Sequence, residues 1–321
     1  MKHERRRGRT RSLPIVIAGA ALIVVAAVFV AVSRHGSAAP DPPPPGTLPH
    51  TPETYLGVYA DRVPNSYTGV TAFADATGVT PDVVMYYSSW YEPFRESFAQ
   101  TALQHGAVPL VQIEPAKVSL AAIANGKYDA YLSSYAAAVR SFGHPVIISF
   151  GHEMNGNWYS WGNQHTSPAA FVRAWRHIVT VFRDLGARNV TWLWTVNIID
   201  LRQDRIPAPA PWWPGNAYVN WVGIDGYYFK SNYAFAPLFG PTIAKVRNLT
   251  HDPILISETG AAASAGQPAK IANLFAGIRN YGLLGFVWFD STDIADYRIN
   301  SNPAALSAFR QGAKHYKWPG S

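Results

Sequence analysis

Two glutamates, Glu153 and Glu258, stand where short apolar runs of the sequence end. Glu153 lies in the string SFGHEMNGNWYSWG (149–162), which continues an apolar run and is rich in aromatic and amide side chains. Glu258 ends the string PILISE. Two carboxyl groups can cleave a glycosidic bond, because one acid protonates the leaving oxygen while the other attacks or stabilises an oxocarbenium-like carbon. The pair therefore predicts acid–base chemistry on a sugar.

Such a pair requires two different pKa values, one raised by apolar surroundings or a neighbouring charge and one kept low by hydrogen bonds. Tyrosine and histidine beside the glutamates can supply those bonds, and tryptophan offers a flat apolar face for a sugar ring. Further polar or aromatic residues follow other apolar runs. They are Ser89, Trp90, Tyr91, Glu114, Asn197, Asp225, Tyr227 and Asp290.

Eight short apolar runs predict the strands that must hold these side chains. Several are apolar throughout, as is typical of parallel strands covered on both faces. The predicted strands are Tyr55–Ala60, Val83–Ser88, Val108–Ile113, Val146–Phe150, Val190–Val196, Trp221–Ile224, Ile254–Ser257 and Gly285–Phe289.

Helical patterns alternate with these runs. In 167–186, Ser167 is a candidate N-cap, Pro168 the first helical residue and Gly186 the stop. Similar patterns cover 96–105, 128–142, 240–250, 268–281 and 303–314. Eight strands with intervening helices predict an α/β fold, a (β/α)8 TIM barrel, with an open doubly wound sheet as the alternative. In such a barrel, residues at the carboxyl ends of the strands line the active face.

The N-terminus differs from the rest of the chain. We predict a basic cytoplasmic tail (1–14), a transmembrane signal anchor (15–33), a proline-rich linker (34–50) and a catalytic barrel (51–321). Ile15–Val32 is 18 residues without a charge, which as a helix would span roughly 27 Å. A cleaved signal peptide is the alternative; in both cases the barrel is expected outside the cytoplasm.

Charge and cysteine content exclude several classes of function. Seven basic residues and one acidic residue lie in 1–34, so almost all of the net charge of +7 belongs there. The near-neutral remainder disfavours a nucleic-acid-binding face. There is no cysteine, which excludes disulfides and thiolate metal sites. No histidine pair has metalloprotease spacing, and we predict neither a metal nor a cofactor.

The string His152-Glu153-Met154-Asn155-Gly156 with Trp158, followed 105 residues after the first glutamate by Glu258, resembles glycoside hydrolase family 26. The resemblance covers residues 55–318. It implies a retaining barrel enzyme, since the family consists mainly of β-mannanases with some mixed-linkage β-glucanases and β-1,3-xylanases.

The resemblance also implies roles for individual residues. Glu153 would be the general acid/base and Glu258 the nucleophile. A sugar site would be lined by Trp158, Tyr227 and Trp288, with the tyrosine hydrogen-bonded to the nucleophile. His152, directly before the acid, is also predicted to bind the substrate. From its position alone, Asn197 is either a contact to a sugar or a loop cap. The roles of Glu114, Trp90, Trp161, Trp212 and Trp213 stay open.

We therefore expect a monomeric, membrane-tethered retaining endo-β-glycosidase acting on an extracellular polysaccharide. The order of expected substrates is β-1,4-mannan, mixed-linkage β-glucan and β-1,3-xylan. One alternative is a non-catalytic barrel that tethers the membrane to a glycan. Another is an envelope transglycosylase, which would use the same two carboxylates and differ in how it excludes water.

Overall fold

The computed structural model describes residues 48–199, 206–230, 232–293 and 295–314. Eight parallel strands pair in chain order and close into a barrel. The strands are β1 (Tyr55–Ala60), β2 (Val83–Ser89), β3 (Val108–Glu114), β4 (Val146–Phe150), β5 (Val190–Asn197), β6 (Trp221–Asp225), β7 (Ile254–Thr259) and β8 (Gly285–Asp290). β1 closes the ring by pairing with β8, Tyr55 opposite Gly285. The predicted barrel is confirmed, and six strands extend one or two residues further at their carboxyl ends.

Eight helices surround the strands in the described part of the chain. They are α1 (Thr68–Thr77), α2 (Glu96–Gln104), α3 (Leu120–Ala124), α4 (Asp129–Phe142), α5 (Pro168–Asp184), α6 (Phe235–Arg247), α7 (Gln267–Tyr281) and α8 (Pro303–Ala313). Short 3₁₀ turns cover Ala210–Trp212, Asn216–Tyr218 and Ile299–Ser301. Ser167 caps α5 as predicted, because its hydroxyl accepts the Ala170 N–H at 3.3 Å.

Sequence patterns missed α1 and α3, and α6 begins five residues before its predicted start. The pair Gly240-Pro241 suggests a helix start, because proline is favoured in a first turn and weakens a helix interior. The helix nevertheless begins at Phe235, whose ring is buried and packs against Phe239 with centroids 4.8 Å apart. The Phe235 N–H donates to the Asn273 side chain on α7. Tertiary packing thus extends α6 past the proline.

Alternation along the strands produces two apolar layers. In β2, Val83 and Met85 belong to a cluster drawn chiefly from strands, which fills the barrel. Val84 and Tyr86 belong to a larger cluster that also contains helix residues, so they face the surrounding helices. Side chains that point into the barrel near the carboxyl ends of the strands therefore meet at one mouth.

The predicted tail (1–14) and anchor (15–33), and the predicted linker (34–50) as far as residue 47, lie outside the described residues. Among the residues that the structure describes, no helix is both long enough and apolar enough to cross a membrane.

Candidate active site

Glu153 is placed by an unusual turn after β4. Gly151 and Glu153 both have left-handed backbones, with φ of 56° and 55°, a conformation that is uncommon for residues other than glycine. A residue other than glycine in this conformation lowers the stability of the fold by about 1–3 kcal/mol, and such residues are typical of functional sites. The turn is held because the Glu153 N–H donates to the Thr195 carbonyl of β5 at 3.0 Å. The carboxyl group lies at the mouth and is largely buried.

Both oxygens of Glu153 accept hydrogen bonds. The Trp158 indole N–H donates to Oε2 at 2.6 Å, and the Asn197 amide donates to Oε1. A Cβ on Gly156 would lie 2.3 Å from the Trp158 ring, so only glycine allows the indole to occupy this position. Asn197 is itself fixed by Asn155, since the two residues exchange side-chain-to-backbone hydrogen bonds of 2.9 Å.

Glu258 is turned into the mouth by a bulge in β7. Gly223 of β6 lies opposite Leu255 of β7, and Asp225 lies opposite Glu258. Between these two pairs the chain moves forward by two residues on β6 and by three on β7. The pairing with β8 shifts in the same place. Regular alternation from the inward-facing Leu255 would make Ser257 face inward and Glu258 outward. Because the bulge adds a residue, Ser257 and Glu258 both reach the barrel interior.

Two tyrosine hydroxyls hold the Glu258 carboxylate. Tyr87 donates to Oε1 at 2.6 Å and Tyr227 donates to Oε2 at 2.9 Å. The bond from Tyr227 is the one that the sequence resemblance implied. Tyr87 was not predicted, although the alternation of Val83 and Met85 on the inner face of β2 would have placed its side chain inside the barrel.

Three carboxyl groups share this pocket. Glu153, Asp225 and Glu258 each contribute an oxygen, and these three atoms lie within 4.8 Å of one another. Burial raises the pKa of each carboxyl above its ordinary value, and the negative charge of Glu153 raises the pKa of Glu258 further. Carboxylates this close cannot all ionise at neutral pH, so the cluster keeps at least one proton.

Asp225 ends β6 opposite Glu258. It is fully buried, and its Oδ1 accepts a hydrogen bond from the Ser257 hydroxyl. In the described part of the chain, this trio is the one group of acidic residues and histidines spaced to hold a metal ion. All four glutamate oxygens instead accept N–H or O–H donors, an arrangement suited to carboxyls that carry charge or protons themselves. The expectation of no metal stays a prediction.

Comparison with known proteins agrees with this geometry. A family model described as glycosyl hydrolase family 26 matches residues 111–264, a range that contains both glutamates. Residues 111–264 are therefore similar to glycosyl hydrolase family 26. Endoglucanase H of Acetivibrio thermocellus is 29% identical over 272 residues, 80% of this chain and 30% of that protein. Beta-1,3-xylanase TXYA of a Vibrio species is 31% identical over 108 residues, 32% of this chain and 21% of that protein.

The chain thus spans less than a third of the length of these curated relatives. Among solved structures, a Cellulomonas fimi endo-beta-1,4-mannanase double mutant superimposes with a TM-score of 0.66 at 18% identity, covering 83% of this chain and 71% of that one. This match supports the fold. The expected resemblance to family 26 is confirmed.

His152, which directly precedes Glu153, is buried with 1% of its surface exposed. Its Nε2 lies 3.1 Å from the Tyr159 hydroxyl, and its ring centroid lies 5.5 Å from that of Tyr87. Burial lowers the pKa of His152 to about 3, so the ring is neutral at ordinary pH. Trp161 stacks on Tyr159 and donates to the His152 carbonyl. His152 therefore packs beneath the surface of the site. A direct contact between His152 and a sugar stays a prediction.

Trp288 requires a correction. The family 26 resemblance implied that it lines the sugar site, but its side chain is fully buried on the outer face of β8. Its indole N–H donates to the Tyr297 carbonyl at 3.0 Å, and its ring packs against Phe309 of α8. Strand alternation explains the result, because the next residue, Phe289, faces the mouth and contacts the Tyr227 ring at 5.8 Å.

The residues whose roles the sequence left open now have positions. Trp90, Trp161 and Trp212 are buried, with 7%, 3% and 3% of their surface exposed, so they pack and offer little ring surface to a ligand. Trp213 is half-buried and meets Trp194 edge to face. Glu114 ends β3 at the mouth, opposite Ser89.

Proposed function

We propose that this family 26 protein is a retaining endo-β-glycosidase, with Glu258 as nucleophile and Glu153 as general acid/base. The observation that carries the proposal is the spacing of the two carboxyl groups, whose nearest oxygens lie within 4.8 Å. Retaining enzymes place the two groups about 5–5.5 Å apart, whereas inverting enzymes need roughly 6.5–9.5 Å to admit a water molecule between acid and base.

The reaction would proceed in two steps. Glu258 attacks the anomeric carbon while Glu153 donates its proton to the departing glycosidic oxygen, so one C–O bond forms as the other breaks. Glu153, now ionised, then removes a proton from water, which attacks the same carbon and releases Glu258. The tyrosine donors stabilise Glu258 as a carboxylate, and Glu153 needs the raised pKa that burial provides.

The substrate we propose is β-1,4-mannan or, next in order, a mixed-linkage β-glucan, cleaved within the chain. The name endoglucanase belongs to the relative matched over most of this chain, and the name endo-beta-1,4-mannanase to a structural neighbour. Internal cleavage needs a mouth that a long chain can cross. In support, aromatic rings stay exposed after two different strands, with Trp158 46% exposed and Phe229 61% exposed.

We also propose that the barrel works outside the cytoplasm, tethered by the N-terminal segment. The uncharged run Ile15–Val32 between a basic cluster and a proline-rich stretch supports this proposal. The tether is tested by fractionating cells that express the full chain or a chain lacking residues 1–39. Recovery of the full chain in the soluble fraction, without loss of its N-terminus, would refute it.

The catalytic proposal is tested on linear β-1,4-mannan, mixed-linkage β-glucan and β-1,3-xylan. We expect the full chain to cleave at least one of them and to release a first product with the β configuration, measured by NMR of the new anomeric proton. E258Q and E153Q should each lose at least about 10³-fold in kcat/KM, while the exposed control E96Q keeps full activity. A first product of α configuration would refute retention, and products longer than the substrate would identify a transglycosylase.

A further inference from the structure

The turn that follows β2 holds a tyrosine in a conformation that tyrosine rarely adopts. The Glu92 N–H donates to the Ser89 carbonyl at 3.0 Å, which closes a four-residue turn. Tyr91 is the third residue of this turn and has a φ of 74°. That position of a type II turn favours glycine, and a bulky residue there is an outlier. The fold therefore gives up stability to keep a tyrosine at this point.

The Tyr91 side chain is exposed to solvent and is held in place by neighbouring aromatic rings. It is 61% exposed. The rings of Tyr128 and Tyr131 meet it edge to face at 6.0 and 5.5 Å, and the buried Trp90 lies beside it at 6.3 Å. The Tyr131 hydroxyl donates to the Glu92 carbonyl at 3.1 Å, which fixes the turn. The result is an aromatic side chain that is both exposed and braced.

This ring lies on the same edge of the barrel as the catalytic carboxyls. Tyr87, four residues earlier, donates to Glu258, so the two backbone positions are at most about 14 Å apart. Next to the turn, Ser89 is paired with Glu114 at the end of β3. The carboxylate of Glu114 is half-buried and its charge acts on Glu258. No hydrogen-bond partner of this carboxylate is found among the described residues.

We propose that Tyr91 and Glu114 form an outer sugar-binding subsite, which holds a neutral pyranose ring of the polysaccharide away from the bond that is cut. An exposed aromatic ring suits the apolar face of a sugar. A carboxylate without a partner is a strong acceptor for sugar hydroxyls. Glu92 and Glu114 are both acidic, so this end of the cleft favours a neutral sugar over an anionic one. The inference rests on the proposed function and deepens it.

The backbone strain allows a sharp test with Y91G in the full chain. Glycine relieves the strained φ, so Y91G should unfold at a higher temperature than wild type. It should nevertheless show a KM about tenfold higher for whichever of the three polymers the wild type cleaves, and a changed pattern of oligosaccharide products. Y91F keeps the ring and should lose less than threefold, and E114Q should raise KM by an intermediate factor.

The matched control is Y281A. Tyr281 is also an exposed tyrosine, but it ends α7 at the opposite face of the barrel, so its loss should leave KM and products unchanged. A Y91G enzyme with wild-type KM and products would overturn the subsite while leaving the catalytic proposal intact. A wild-type chain that neither cleaves nor binds any of the three polymers in affinity electrophoresis would overturn the proposed function, and the subsite with it.

Discussion

Glu153 and Glu258 differ in the donors that hold them. Glu258 accepts two tyrosine hydroxyls, whereas Glu153 accepts an indole and an amide. A hydrogen bond to an ionised group is stronger than one between neutral groups, so the two tyrosine hydroxyls stabilise Glu258 as a carboxylate. The proposed mechanism places the shared proton of the coupled pair on Glu153 and the negative charge on Glu258.

The first prediction concerns Tyr87→Phe. Because the hydroxyl stabilises the charged form of Glu258, its removal should raise the pKa of that carboxyl. A bond to a charged group contributes about 1.5–3 kcal/mol, equivalent to roughly one to two pH units. In the proposed mechanism Glu258 must be ionised to attack, so the acidic limb of the profile of kcat/KM against pH should move to higher pH.

The control for this experiment is Tyr281→Phe, which removes a hydroxyl far from the mouth. The measurement is the apparent pKa of the acidic limb in each enzyme. An acidic limb that stays in place in Tyr87→Phe, with kcat reduced at all pH values alike, would show that Tyr87 does not tune the nucleophile.

At the level of elements, β8 presents two aromatic residues to opposite sides. Trp288 packs against Phe309 of α8, and Phe289 stacks on Tyr59 with ring centroids 4.3 Å apart and contacts Tyr227. Trp288 therefore joins the barrel to α8, while Phe289 supports Tyr227, whose hydroxyl donates to Glu258. Two adjacent positions of β8 thus have different tasks, since Trp288 packs the barrel against α8 and Phe289 packs inside the carboxyl site.

The second prediction compares Trp288→Phe with Phe289→Leu. Trp288→Phe leaves the buried Tyr297 carbonyl without its donor, which should cost about 1–3 kcal/mol of unfolding free energy. Its KM should match the wild type. Phe289→Leu removes a ring beside Tyr227 and should lower kcat. Urea denaturation and steady-state kinetics of both variants check this, and a raised KM in Trp288→Phe at unchanged stability would return Trp288 to the sugar site.

At the scale of the whole molecule, the buried carboxyl cluster has a cost in stability. A carboxyl whose pKa is raised on folding binds more protons in the folded state than in the unfolded state. The free energy of unfolding then falls as pH rises from the unfolded pKa, about 4.3 for glutamate, through the higher folded value. Glu153, Asp225 and Glu258 all shift in this direction because they are buried.

The third prediction is that Glu258→Gln unfolds at a higher temperature than wild type at pH 8, with little difference at pH 4.5. A neutral amide removes one of the charges that burial disfavours, so the melting temperature should depend less on pH. Thermal unfolding at both pH values tests this, with the exposed Asp75→Asn as control. An equal fall in melting temperature between pH 4.5 and 8 in wild type and Glu258→Gln would contradict this prediction.

By itself, the sequence determined the barrel and its family. Uninterrupted apolar runs require burial on both faces, and their alternation with amphipathic stretches leaves few other architectures. The same logic located Glu153 and Glu258 at strand ends. Local signals also identified the Ser167 cap, since a hydroxyl at a helix start needs no distant partner.

Only the tertiary structure decided which side chains face the mouth. A bulge in β7 turns Glu258 inward against the simple alternation, and strand pairing alone reveals it. Tyr87 donates to the carboxylate of Glu258, which lies 171 residues later in the sequence. The prediction for Trp288 was wrong because adjacent residues of β8 face opposite sides of the strand. A shift of one position therefore moves a side chain from the cleft to the helix layer. These outcomes depend on the register between distant strands and on packing against neighbours, which no local pattern in the chain contains.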